Sequence, residues 1–239
     1  MRITLRHMPA RQAIAADEGL LDTPGVPRFW ISDSRAVVVG LGLHHRLAAV
    51  VDLERCRADG IDVISRRAGG GALLLDETVL CGAIALPTSS VSPDVTESYR
   101  WLGDHLVIAL ARLGIGARRV DVAEARADLA SLRASRAATA SALLNTCYGA
   151  LSPHEVVIDT NNGPAKLVGL AQVRRRDAAL FQLGILLRDQ SPLADLLQVD
   201  SREPLRAALA RRTVGLAAFT CRSASEVAAA IADAMPYAQ

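Results

Sequence analysis

Gly60-Ile61-Asp62-Val63-Ile64-Ser65-Arg66-Arg67-Ala68-Gly69-Gly70-Gly71-Ala72-Leu73-Leu74-Leu75-Asp76 reads as a strand, a tight basic loop and a second strand. Three consecutive glycines let a backbone approach a ligand closely and present its N–H groups, and paired arginines supply charge for a phosphate or carboxylate. The plain alternative is a hairpin turn with two solvated arginines. The loop is not a P-loop, because no GKT or GKS follows. Nor is it a dinucleotide fingerprint, because a strand (Ala72–Leu75) follows where a helix would open.

Outward from this loop, Pro9–Leu21 carries Ile14, Leu20 and Leu21 around Asp17-Glu18 and reads as an amphipathic helix. Arg28–Ile31 and Ala36–Gly40 read as short strands, and Asp52–Ala58 as a short helix stopped by Asp59-Gly60. Beyond the loop, Leu80–Leu86 is a strand, and Pro93 opens a helix that closes at Gly114. Ala117–Val122 reads as a strand. Ala123–Ala142, rich in Ala, Ser and Arg, fits a helix or a loop. Strand patterns return at Glu155–Asp159, Leu167–Val173 and Leu180–Leu187. Pro192–Val199, Arg202–Ala210 and Ser223–Met235 read as helices. The mixture predicts an α/β (α+β) domain over residues 1–190, with a small C-terminal helical cap over 191–239.

Two side chains stand out for chemistry. Of the 27 basic residues a single one, Lys166, is lysine. Where arginine has replaced lysine at ordinary surface sites, a surviving lysine marks a place for a compact ammonium, such as one that polarises a carbonyl or binds an acyl-phosphate oxygen. The alternative is an exposed strand-end residue. Cys147, in Leu144-Asn145-Thr146-Cys147-Tyr148-Gly149, reads as a loop nucleophile if a cation lies near it, and otherwise as a core cysteine. Cys56 and Cys81 lie in apolar periodic segments and read as core. His44-His45, His154 and Arg174-Arg175-Arg176 read as loop or surface groups.

The remaining composition excludes more than it assigns. A formal net charge of +2 argues against a basic nucleic-acid binder, and 51% hydrophobic residues suffice for a full core. The apolar runs are too short to cross a bilayer, and the N-terminus lacks the apolar core of a signal peptide. Four scattered cysteines without a CxxC pair, and no HExxH spacing, predict a reducing cytoplasmic setting without a metal site.

These segments together resemble the lipoate–protein ligase A and octanoyltransferase family, whose catalytic domain is shared with biotin–protein ligases. Asp17-Glu18 with Leu20-Leu21 is similar to the family's first helix, and Val37-Val38-Val39-Gly40 to the strand before its substrate loop. Arg66-Arg67-Ala68-Gly69-Gly70 is similar to its Arg-Arg-x-x-Gly-Gly loop, and Asp76 to the acidic residue beyond. Lys166-Leu167-Val168-Gly169-Leu170-Ala171-Gln172 is similar to its Lys-x-x-Gly-Ser-Ala-Gln strand. Ser98-Tyr99-Arg100-Trp101-Leu102, and Cys147-Tyr148 ahead of Ser152-Pro153 and Glu155, resemble the cysteine-dependent octanoyltransferase branch. The chain departs from the family at Leu75 and Leu183, where histidine is usual, at Leu170 for serine, and at Thr78-Val79 for Gly-Asn.

The resemblance implies a biotin/lipoate protein ligase-like catalytic domain, a mixed sheet flanked by helices. It implies an enzyme that moves an octanoyl group from acyl carrier protein, through a Cys147 thioester, to a lysine of a lipoyl domain or glycine-cleavage H protein. Lys166 would hold the acyl carbonyl. Arg66, Arg67, Gly69, Gly70, Gly71, Ala72, Leu73, Leu74, Asp76, Gly169, Ala171 and Gln172 would form the substrate site. This transfer implies no cofactor, no metal, no nucleic acid and no membrane. The alternatives are a lipoate–protein ligase using ATP and Mg, and a diverged acyl- or lipoyl-domain-binding protein without turnover.

Overall fold

The computed structural model describes residues 4–24 and 27–235. In chain order its elements are β1 (Leu5–Met8), α1 (Ala10–Glu18), β2 (Arg28–Ser32), β3 (Ala36–Gly40), α2 (Leu47–Val50), α3 (Leu53–Ala58), β4 (Asp62–Arg66), β5 (Leu73–Leu75), β6 (Val79–Pro87) and α4 (Val95–Arg112). There follow β7 (Arg118–Arg119), α5 (Val122–Ala134), α6 (Ala138–Leu144), β8 (Val156–Thr160), β9 (Gly163–Arg174), β10 (Ala178–Leu186), α7 (Arg202–Arg212) and α8 (Ala224–Ala234).

A seven-stranded mixed sheet runs β1-β2-β6-β10-β9-β8-β7, and a three-stranded sheet runs β4-β3-β5. Among the described residues of the large sheet only β1 and β2 pair in parallel. One of its faces packs on α4 and α8, through Leu102, Leu106, Leu110, Val227 and Ile231 against Phe29, Phe181 and Leu183. The other face meets α1 and the small sheet. There Ile14, Val38, Ile64, Leu73 and Leu75 pack towards Trp30, Cys81 and Tyr148. The far side of the small sheet, carrying Val37, Val39, Ala72 and Leu74, packs on Leu143, Leu193, Leu205 and Leu209. Alternation along β3 and β5 therefore serves two cores at once, as the period-2 geometry of a strand requires.

Local signals fix the helix ends. The Asp94 carboxylate accepts the Thr96 N–H at 2.7 Å and so opens α4. Asp121 with Glu124, and Ser223 with Glu226, form capping boxes at α5 and α8. The Ala-rich stretch read as helix or loop is two helices, α5 and α6, parted at Ser135–Ala137. The strand read over Ala117–Val122 shortens to Arg118–Arg119, because Asp121 starts α5. The helix read over Pro192–Val199 is a 3-10 helix over Ser191–Leu196. The strand β1 has no counterpart in the reading of the sequence.

Candidate active site

The site lies between the two sheets, where the glycine loop, the 145–151 segment and β9 meet. The first two are joined by backbone. Ala72 N–H donates to Asn145 O at 2.7 Å, and Cys147 N–H donates to Ala72 O at 2.8 Å. Gly71 makes this possible, because a Cβ there would lie 2.4 Å from the Thr146 carbonyl carbon. Gly70 takes φ +113°, a conformation that side-chain-bearing residues rarely adopt. Gly71→Ala is expected to destabilise the fold by roughly 1–3 kcal/mol, the cost of forced overpacking. That lowers Tm by on the order of 5 °C. Gly69→Ala, with nothing within 4 Å of its Cβ, leaves Tm in place. Thermal denaturation of the two variants checks the contrast.

Lys166 is only 1% exposed and anchors the same segment. Its Nζ donates to Cys147 O at 2.7 Å and Ala150 O at 3.1 Å, and pairs with Glu155 Oε2 at 2.5 Å. It also stands 5.2 Å from the Tyr148 ring centroid. Burial pushes the Glu155 carboxyl up, and Lys166 pulls against that shift. The bulge between β8 and β9 falls at this spot, with Val156 opposite Val168 and Val157 opposite Lys166. Arg212 Nε donates to Gly149 O at 2.6 Å, and Asp128 accepts the Leu151 N–H at 2.8 Å. The Cys147 segment is thus held along its length. His154, at its end, takes φ +67°, is buried, and lies 2.8 Å from Arg119 Nη1 through its Nδ1. Burial and Arg119 lower its pKa.

Cys147 itself is half-buried and lines a small, mostly apolar cavity of about 30 Å³. Ile14, Trp30, Val38, Leu73, Leu75, Tyr148 and Leu170 contribute the apolar lining. Asp17, Arg66, Cys81 and Gln182 contribute polar groups, and Gly169, Ala171 and Gly184 part of the backbone floor. Arg66 Nη2 lies 3.9 Å from Cys147 Sγ and donates to Gly69 O at 3.1 Å. Tyr148 Oη donates to Gly184 O at 2.6 Å, which sets the ring across the floor. Tyr99 of α4 is held at a pKa of about 12 by burial, with charges at Glu155, Arg66 and Cys147 also acting on it.

The residues singled out in the sequence thus divide. Cys147, Arg66, Leu73, Gly169 and Ala171 border the cavity, and Gly70 lies against Cys147. Ala72 and Leu74, read as tunnel wall, face the opposite core, because alternation along the strand gives the cavity Leu73 and Leu75 instead. Arg67 turns outward to Glu18, with its N–H 2.8 Å from Glu18 Oε1. Asp76 caps its own turn by accepting from Thr78 N and Oγ1. The Gln172 side chain accepts from Ser98 Oγ at 3.4 Å, away from the cavity. The Lys166 amine, expected at the acyl carbonyl, is directed at the backbone of the Cys147 segment. Among the described residues no group of three or more His, Cys, Asp or Glu could hold a metal ion, and no helix is long and apolar enough to cross a membrane.

The reading of the sequence missed Tyr148, Trp30 and Gln182, and it gave Asp17 and Glu155 no chemical part. One signal was available for Glu155: a lysine inside a strand needs an acid nearby, and Glu155 directly precedes the neighbouring strand. Cys81, read as core, reaches the cavity.

The family model for the lipoyl protein ligase A/B catalytic domain matches residues 9–230. The octanoyltransferase LipM of Kyrpidia tusciae is 33% identical over 159 residues, which cover 65% of this chain and 52% of that protein. That of Symbiobacterium thermophilum is 28% identical over 183 residues, 77% of this chain and 61% of that protein. The chain therefore spans little more than half of the first relative and three fifths of the second. In fold it is similar to a bi-partite lipoate protein ligase from Thermoplasma acidophilum, described with its E2 lipoyl domain. The TM-score is 0.73 at 22% identity, covering 97% of this chain and 82% of that one.

Proposed function

Because the chain belongs to the lipoyl protein ligase A/B catalytic domain family, a family of enzymes, we propose that it is an octanoyltransferase of protein lipoylation working through a Cys147 thioester. The observation that carries this reading is Cys147 lining an apolar cavity with the Arg66 guanidinium 3.9 Å from its Sγ. A thiol placed between an apolar pocket and a fixed cation suits a nucleophile that accepts an acyl chain.

In the first half-reaction Cys147 Sγ attacks the thioester carbonyl of an octanoyl group on acyl carrier protein. The new C–S bond forms as the bond to the carrier's sulfur breaks, and the thiol proton leaves with the carrier. In the second, the ε-amine of a lysine on a lipoyl domain or H protein attacks the Cys147 thioester. An amide forms, and the amine's proton returns to the Cys147 sulfur. Arg66 and the backbone of Gly69–Gly71 supply positive charge and dipoles beside the reacting carbonyl. Lys166 keeps Cys147 at the cavity's edge through the Cys147 and Ala150 carbonyls. The transfer needs no cofactor.

Intact-mass measurement after incubation with octanoyl carrier protein tests this. The expected result is one octanoyl adduct that hydroxylamine removes. Free lipoate with Mg-ATP is expected to give no pyrophosphate. Pyrophosphate release with labelling of the acceptor, and no adduct on the chain, would instead establish an ATP-dependent ligase. Saturable binding of octanoate or a lipoyl domain without turnover would leave a binding protein.

A further inference from the structure

Residues 147–151 turn between α6 and β8, and their backbone polar groups are met from two directions. Lys166 Nζ of β9 donates to the Cys147 and Ala150 carbonyls. The Gly149 carbonyl and the Leu151 N–H point instead to two helices, α5 and α7. Arg212, the last residue of α7, donates through Nε to Gly149 O at 2.6 Å and through Nη2 to Asp128 Oδ1 at 2.5 Å. Asp128 of α5 accepts the Leu151 N–H on its other oxygen, Oδ2, at 2.8 Å. The guanidinium, the carboxylate and residues 149–151 thus close one ring of hydrogen bonds. An ion pair that served only to join α5 to α7 would need neither contact with the turn.

The turn has little slack with which to absorb a loss of this ring. A Cβ at Gly149 would lie 2.1 Å from Leu143 O of α6 and 2.2 Å from Thr146 Oγ1. Thr146 Oγ1 itself donates to Leu143 O at 2.9 Å, so the chain is close-packed up to the residue before Cys147. Interiors packed to this density transmit a shift rather than absorb it, and a displaced Gly149 moves the backbone that carries the thiol. The same end of α7 also reaches the lysine. Val214 N–H donates to Lys166 O at 3.1 Å, and Thr213 forms a parallel bridge with Lys166.

We propose that Asp128 and Arg212 act as one positioning pair for the acyl transfer, fixing Cys147 relative to Arg66 and the cavity through Gly149 and Leu151. The inference rests on the acyl-transfer reading above and deepens it. Neither residue lines the cavity, so the pair acts on the rate of attack and leaves the affinity for the acyl donor in place. The shape of the guanidinium matters as well as its charge. A rigid fork holds two acceptors, Gly149 O and Asp128 Oδ1, at once, and a lysine ammonium keeps the ion pair without the fork.

The experiment follows acylation of Cys147 by octanoyl carrier protein in single turnovers, well below each variant's Tm, and reads a limiting rate and a half-saturating carrier concentration. Asp128→Ala and Arg212→Ala are each expected to lower the limiting rate by about 10- to 100-fold, the scale of a reacting group misplaced by about 1 Å. Half-saturation should stay within about twofold of native. The double alanine variant should fall no further than the worse single, because the two residues work as a unit. Arg212→Lys should regain most of the Tm lost in Arg212→Ala while its limiting rate stays low. Where an alanine variant does not fold, Arg212→Lys decides, since a near-native Tm with a low limiting rate is the signature of positioning. Native limiting rates in folded variants overturn the proposal and leave acyl transfer standing. So does a raised half-saturation at an unchanged limiting rate, which places the pair in carrier binding, and so do effects that multiply in the double variant. A native chain that takes no acyl group overturns the acyl-transfer reading and the proposal with it.

Discussion

Cys147→Ala is expected to lose acyl-enzyme formation completely and to lower octanoyl transfer by on the order of 10³-fold or more, since the reaction loses its covalent route. The fold should be almost untouched. What ties residue 147 into the structure is backbone: its N–H to Ala72 O, and its carbonyl to Lys166 Nζ. An alanine keeps both bonds, so Tm should stay within a few degrees of the native value. Cys56→Ala and Cys221→Ala are the controls. Cys56 lies in the core between the small sheet and α7, and Cys221 is exposed, so neither borders the cavity. Intact mass and transfer rate, measured on the same samples, check the expectation. An adduct of unchanged yield on Cys147→Ala would remove the thioester mechanism.

Changes at Lys166 have the second largest expected effect, and here stability and activity fall together. Removing one partner of a buried ion pair costs about 3–5 kcal/mol, because the other charge is left unpaired. Lys166→Met leaves Glu155, itself 3% exposed, in that position. Lys166→Arg fares little better, because a broad guanidinium must enter a site in which one ammonium serves three oxygens. Both variants should lose at least about 100-fold in acylation, in line with a misplaced reacting group. The defect of Lys166→Met depends on pH. With the Glu155 pKa raised in the folded chain, the penalty is absent below the ordinary carboxylate range and grows as pH rises through the raised value. Thermal scans should therefore show a smaller deficit near pH 5 than near pH 8. The double variant Glu155→Gln, Lys166→Met should regain most of the lost Tm while acylation stays low. Full recovery of acylation would show that Lys166 only neutralises Glu155 and does not place Cys147.

Much of the fold was legible because its signals are local. The apolar runs Ala36–Gly40 and Ala72–Leu75 and the opening of α4 near Pro93 depend on neighbours in sequence. What escaped depended on contacts far apart. The pattern at 72–75 showed a strand, but which of its faces meets the cavity is set by the pairing of β5 with β3. Lys166 was recognisable as a special position from its solitude among the basic residues. Its target was not, because the bulge that aims it and the Cys147 carbonyl that receives it come from other segments. Asp17 was visible only as part of a helix signature. Its pairing with Trp30 joins α1 to β2 across a turn, which no periodicity records.

The backbone bonds between Ala72 and the Asn145–Cys147 segment have a consequence for how the chain acquires its reactivity. They close a loop that takes in less than a third of the chain, and loop closure of this kind costs entropy before it returns any contact. The glycine loop and the cysteine segment are held to each other by these bonds and by the close approach at Gly71. The surroundings of Cys147 therefore depend on β5 and on Lys166 of β9 being in place. A partly unfolded chain therefore lacks the contacts that hold Cys147 beside Arg66 and the cavity.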